Sequence, residues 1–137
     1  MKKNNMLFSR FNTGFTLIEI LIAVIIVAIL ASIAIPIYVR NIEKSKTGEA
    51  VTILNLIRMA EKDYFLDNKT YTTDLSSLNI DNPNDMSSAS RYFDYTIPAA
   101  DANGFQAMAT RKDGPYKGDY YTIDQVGSIT GSGRFQL

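Results

Sequence analysis

Between residues 15 and 39 the chain reads FTLIEILIAVIIVAILASIAIPIYV, and Glu19 is its only charged side chain. As an α-helix this run is roughly 37 Å long, enough to cross a hydrocarbon core of about 30 Å. A carboxylate one turn inside such a helix costs roughly 2.5–3.5 kcal/mol on insertion scales, so intramembrane acids are as a rule paired and functional. The partner of Glu19 is therefore the first question the sequence poses.

The flanks orient the span. Lys2, Lys3 and Arg10 precede it with no acid among them, and a basic N-terminal flank marks the cytoplasmic side. The charges balance over the chain, 14 basic against 14 acidic, so everything after Gly14 is slightly acidic. No basic stripe points to nucleic acid, and no specific nucleic-acid partner is expected. Cys and His are both absent, which excludes disulfides, thiolate or imidazole metal sites and Cys/His nucleophiles. No convergent acid pair suggests catalysis. The expectation is a non-enzyme without metal or cofactor.

A secretory signal would carry a shorter apolar region followed by small residues at a cut site. Here the small residue, Gly14, comes before the run. The simplest alternative is an uncleaved signal anchor in which Gly14 and Glu19 have no special role. Cleavage after Gly14 would instead create an α-amine on Phe15, about 6 Å along the helix axis from Glu19. That amine can meet its own Glu19 or that of a neighbour in a helical stack.

The periodicity predicts a helix from Phe15 to about Leu66. Pro36 removes one hydrogen bond and is expected to kink or loosen the turn before it. After Arg40 the helix turns amphipathic, with Ala50, Ile53, Leu54, Ile57, Ala60 and Tyr64 on one face. Glu43, Lys46, Glu49, Arg58 and Lys62 fall to the solvated remainder, and Gly48 is a weak point. A connecting region follows, with a helical turn over residues 74–78 capped by Thr73 and a polar, exposed stretch over 81–90.

From Tyr92 the period becomes two. Phe93, Tyr95 and Ile97 form one strand, Phe105, Ala107 and Ala109 a second, and Tyr121 and Ile123 a third. Ile129 marks a fourth, weakened by Gly131 and Gly133. Turns are expected at 98–104, 113–118 and 125–127. The fold class is α+β: a long N-terminal helix packed on an antiparallel sheet of three or four strands. Asp81, Asn84 and Asp85 lack the layout of a calcium loop and read as a solvated turn. Tyr38, Tyr64, Phe65, Tyr71, Tyr92, Phe93 and Tyr95 read as core aromatics.

The string Gly14-Phe15-Thr16-Leu17-Ile18-Glu19, the basic leader, the apolar helix and Pro36 together resemble the prepilin signature of bacterial type IV pilins and their type II secretion pseudopilin relatives. The resemblance is close over residues 14–40 and looser beyond. It implies three parts: a leader over 1–14, a transmembrane and assembly half of the helix over 15–40, and a globular pilin domain over 41–137. It further implies that a membrane prepilin peptidase cuts between Gly14 and Phe15 and methylates the new amine, giving N-methylphenylalanine. Glu19 and Pro36 are the implied assembly residues. The implied partners are other pilins in a helical polymer, the peptidase and an assembly platform in the inner membrane. The chain would sit in that membrane as a single-pass protein and later in an extracellular pulling, adhesive or DNA-uptake filament. A pseudopilin of a secretion system is the alternative. Relatives often place Gly where this chain has Ala28, so local melting before Pro36 has less support here.

Overall fold

The computed structural model describes residues 14–85 and 92–132. The chain forms two compact units, Met1–Val39 and Arg40–Leu137. Helix α1, Leu17–Asn68, supplies residues to both.

Within the first unit α1 is apolar on every side. Its large side chains are all exposed, from Val39 at 49% to Leu17 at 86%. Pro36 lies inside the helix, which runs on through it without a break. Proline costs one N–H and a steric contact, and a helix this long retains enough neighbouring bonds to absorb the loss. This is the one helix among the described residues that is long and apolar enough to cross a membrane.

The second unit pairs the amphipathic part of α1 with a four-stranded antiparallel sheet in the order β1-β2-β3-β4. The strands are β1 Phe93–Ala100, β2 Phe105–Arg111, β3 Tyr120–Asp124 and β4 Ile129–Gly131. Ala50, Leu54, Ile57 and Ala60 of the helix share one core with Phe93, Tyr95, Ile97, Phe105, Ala107, Ala109, Tyr121 and Ile123. Ala107 and Ala109 are wholly buried, and side chains this small on the middle of β2 leave room for the helix above them. Tyr71 stacks between Phe65 (4.7 Å) and Phe105 (5.1 Å), closing the core where the chain turns back.

Lys69, at φ 58°, ends α1 in the left-handed conformation, and its N–H returns to the Phe65 carbonyl at 2.9 Å. A short 3-10 turn, Leu75–Ser77, follows. Its cap is Asp74, not Thr73. Asp74 accepts from the Ser76 N–H and from the hydroxyls of Ser76 and Ser77, which together hold its carboxyl below the usual carboxylate range. Carboxylate oxygens accept more bonds than one hydroxyl can.

The strand boundaries also move. β1 runs through Pro98 to Ala100 across an irregularity between Thr96 and Ala99, an edge position where proline is tolerated. The expected weakness of Gly131 is instead a requirement. A Cβ there would lie 2.2 Å from the Tyr120 carbonyl oxygen, so β4 pairs with β3 only because the position is glycine. Gly131→Ala is expected to detach β4 at a cost of about 1 kcal/mol, read as a lowered unfolding midpoint and lost hydrogen-exchange protection across residues 129–131.

The exposed loop assigned to 81–90 holds only in part. Pro83 is buried. The Asn84 amide clasps the outer edge of β1, donating to the Tyr95 carbonyl at 2.7 Å and accepting from the Tyr95 N–H at 2.9 Å. Residues 86–90 lie outside the described residues. Tyr38 is not a core aromatic, being 67% exposed, because it belongs to the unit that has no core of its own.

Candidate functional site

The residues singled out by sequence gather at the start of α1. Gly14, Phe15 and Thr16 precede the helix without regular structure, and all three are exposed. The Thr16 hydroxyl accepts from the Glu19 N–H at 3.2 Å, and the Glu19 carboxylate accepts from the Thr16 N–H at 3.4 Å. The Thr16 carbonyl meanwhile takes the first helical bonds, from the N–H groups of Glu19 and Ile20. This is a reciprocal capping box. It occupies two of the donors a helix start leaves unpaired and places a carboxylate where the helix dipole favours one. Glu19 thus has a partner within its own chain before any cut. The T-x-x-E spacing is itself a signal of this box in the sequence. Pro36 lies five turns further along the same helix, and nothing brings it to this junction.

The second unit contains buried charged groups, among them Glu43, which helical spacing places on the solvated face. Glu43 is 7% exposed and Arg111 6%. The Arg111 guanidinium meets the Glu43 carboxylate at 3.2 Å and donates through Nε to the Asp113 carbonyl at 3.1 Å. It also lies against the rings of Tyr92 and Phe93. Lys46 reaches the other Glu43 oxygen at 2.6 Å. One helical turn on, the Thr47 hydroxyl bonds the Tyr121 hydroxyl at 3.3 Å. Glu49 accepts from the Tyr92 N–H. These pairs tie the helix to the ends of β1, β2 and β3, so the helix face that meets the sheet is wider than the apolar stripe. Helical spacing finds apolar faces, and it misses a charge whose partner comes from a strand 68 residues away.

Glu61 is the other buried acid, with no exposed surface. Its Oε2 accepts from the Thr72 N–H at 3.1 Å, fixing the chain reversal after α1. Its Oε1 is buried without a hydrogen-bond partner. Burial raises its pKa, and the bond from Thr72 offsets part of that rise.

No group of three or more acids converges among the described residues, and Asn84 spends its amide on β1. An open surface groove borders the helix, lined in part by Ile42, Ser45, Lys46, Gly48, Glu49 and Tyr92. Among the described residues, the start of α1 is apolar and exposed, and the buried polar groups of the second unit tie α1 to the sheet.

Comparison with known proteins agrees. Residues 9–35 match the prokaryotic N-terminal methylation motif, and residues 36–131 match the family described as "Type IV minor pilin ComP, DNA uptake sequence receptor". Among curated relatives, the type IV major pilin protein PilA of Myxococcus xanthus is 44% identical over 65 residues, covering 47% of this chain and 30% of PilA. The type II secretion system core protein G of Vibrio cholerae is 42% identical over 64 residues, covering 47% of this chain and 44% of that protein. The chain thus spans less than half the length of each of these relatives. The solved non-core minor pilin PilV of Neisseria meningitidis shares the fold at TM-score 0.53 and 20% identity, over 71% of this chain and 93% of that one. With a matching family profile over most of its length, a methylation motif before it and the pilin arrangement of helix on sheet, the chain belongs to the type IV minor pilin ComP family.

Proposed function

We propose that the chain is a subunit of a type IV pilus. In this reading it is cut between Gly14 and Phe15, N-methylated on Phe15, held in the inner membrane by residues 15–40 with the basic leader on the cytoplasmic side, and drawn by the assembly platform into a surface filament. The observation that carries the reading is the contrast between the two units. The second buries its own core, whereas the first leaves every large apolar side chain from Phe15 to Val39 about half exposed or more. At roughly 25 cal/mol per Å² of apolar surface, such a helix is stable only in lipid or against other helices. A filament core made of copies of this helix provides the second environment. Glu19 then serves as the gauge of docking, since an unmatched buried carboxylate penalises misplaced subunits.

Glu19→Ala separates this reading from that of a simple membrane anchor. The variant is expected to insert into membranes normally and to disappear from sheared surface filaments. Unchanged filament yield contradicts the proposal. A pseudopilin role is supported by the similarity to the secretion core protein G. Loss of protein secretion on deletion, without loss of sheared filaments, favours it.

A DNA-uptake role is supported by the description of the matched family. The matched segment holds fewer basic than acidic side chains, so DNA would be held by a local patch rather than by net charge. Exposed Lys117 and half-buried Lys112, in the β2–β3 connection, are the candidates. Purified mature chain that retards duplex fragments, with an affinity falling steeply between 50 and 200 mM salt as counterion release requires, supports this finer role. Equal, negligible binding of all fragments at low salt argues against it.

A further inference from the structure

We propose that Asn103 is a latent deamidation site in the β1–β2 hairpin, and that the Asp101 carboxylate keeps it closed by holding the nitrogen that would attack it. Among the chain's asparagines only Asn103 is followed by glycine. Glycine has no Cβ to hinder ring closure onto its own nitrogen, so Asn103–Gly104 is the step in this chain best suited to form a succinimide. Asn103 is also exposed, so water reaches it.

The reaction balances with one water. The Gly104 nitrogen gives up its proton and bonds to the side-chain carbonyl carbon of Asn103, and the amide nitrogen leaves with that proton as ammonia. Water then opens the ring at either carbonyl, giving aspartate or isoaspartate.

The hairpin withholds the nucleophile. Asp101 Oδ1 accepts from the Asn103 N–H at 2.7 Å and from the Gly104 N–H at 3.0 Å. These bonds, that from Asn103 first, hold the Asp101 carboxyl below the usual carboxylate range, so the acceptor is an anion at neutral pH. An anion beside the Gly104 N–H opposes loss of its proton, because a second negative charge would form at hydrogen-bond distance. The rest of the turn is committed as well. The Asp101 N–H donates to the Gly104 carbonyl at 2.9 Å, and the Asp101 carbonyl accepts from the Tyr71 N–H at 3.1 Å. A Cβ on Gly104 would lie 2.7 Å from the side-chain oxygen of Gln125, so Gln125 packs directly on the turn.

Cyclisation therefore requires the end of the hairpin to open, and its rate follows the population of that open form. The product does not return. Isoaspartate adds a methylene to the backbone of a turn whose ends are fixed by the Ala100–Phe105 pair, and either product sets a new carboxylate beside Asp101. The loosening passes to Tyr71, which is stacked between Phe65 and Phe105. The hairpin thus carries a one-way mark of its own opening.

The test incubates the full chain, folded in detergent micelles, in mildly alkaline buffer made with 18O water. Peptide mapping by mass spectrometry then reads 18O uptake at residue 103 over time. Folded Asp101→Ala is expected to react about tenfold faster than folded wild type, the ratio that corresponds to one lost charge-assisted hydrogen bond. Wild type unfolded in urea should exceed folded wild type by at least as much. Asn103→Gln, whose ring would be one atom larger, is the blank for uptake at this turn. Equal rates in folded and unfolded wild type, or in folded wild type and folded Asp101→Ala, overturn the proposal. Should Asp101→Ala not fold, hydrogen exchange of the Gly104 amide in folded wild type decides: protection relative to the unfolded chain is expected, and its absence overturns the proposal.

Discussion

Glu43→Ala is expected to destabilise the globular unit by about 3–5 kcal/mol, the usual consequence of leaving one member of a buried ion pair alone. Arg111 keeps its bond to the Asp113 carbonyl and its contacts with Tyr92 and Phe93, but its charge is left buried without a carboxylate. Because Glu43 also binds Lys46 at 2.6 Å, a single substitution leaves two cations unmatched. The Lys112–Asp94 pair at 3.0 Å, with its carboxylate exposed, provides the contrast: Lys112→Ala should cost about 1 kcal/mol or less. Thermal unfolding of the full chain in detergent micelles measures both. Replacing Glu43 and Arg111 together by apolar residues of similar size should recover much of the loss, since the pair's desolvation cost is removed with its attraction. Equal midpoints for wild type and Glu43→Ala would show that the pair does not tie helix to sheet.

The second large effect concerns Glu61. Its folded-state pKa is raised by burial, so the neutral acid is the form the fold prefers. Below the unfolded carboxylate value of about 4.3 the side chain is neutral in both states and imposes no penalty. As pH rises from there through the raised folded value, the unfolded chain ionises first and stability is lost; above the folded value the loss is constant. Glu61→Gln retains an oxygen for the Thr72 N–H and cannot ionise. It is expected to be more stable than wild type at pH 7 by about 1–3 kcal/mol, because the carboxylate it replaces must be buried as an anion. The advantage should shrink on acidification and vanish near pH 4. Urea midpoints at pH 4, 5.5 and 7 measure this, and a wild-type-to-variant gap that does not change with pH contradicts the account of Glu61.

What the sequence made legible follows from how each signal is written in it. The stripe Ala50-Leu54-Ile57-Ala60 and the alternation Phe93-Tyr95-Ile97 are local periodicities, and both became core. The string from Gly14 to Glu19 is contiguous, so its resemblance to the prepilin signature is legible from the order of residues alone. Glu43 and Glu61 were not, because a buried acid looks like a solvated one until its partner is known. Arg111 comes to Glu43 from the far end of β2, and Thr72 comes to Glu61 from beyond the helix end. Gly131 misled for a related reason: glycine weakens a strand by its own propensity, whereas here the close approach of Tyr120 demands it. The capping box stood in plain order as Thr16-Leu17-Ile18-Glu19, and the membrane cost of the carboxylate drew attention away from the hydroxyl three residues before it.

In the proposed function, a cut between Gly14 and Phe15 turns this chain into a filament subunit. Intact-mass analysis of sheared surface filaments tests it most directly. The account predicts a chain that starts at Phe15, lacks residues 1–14 and carries the mass of one added methyl group. A chain in the same filaments that still starts at Met1 would contradict it.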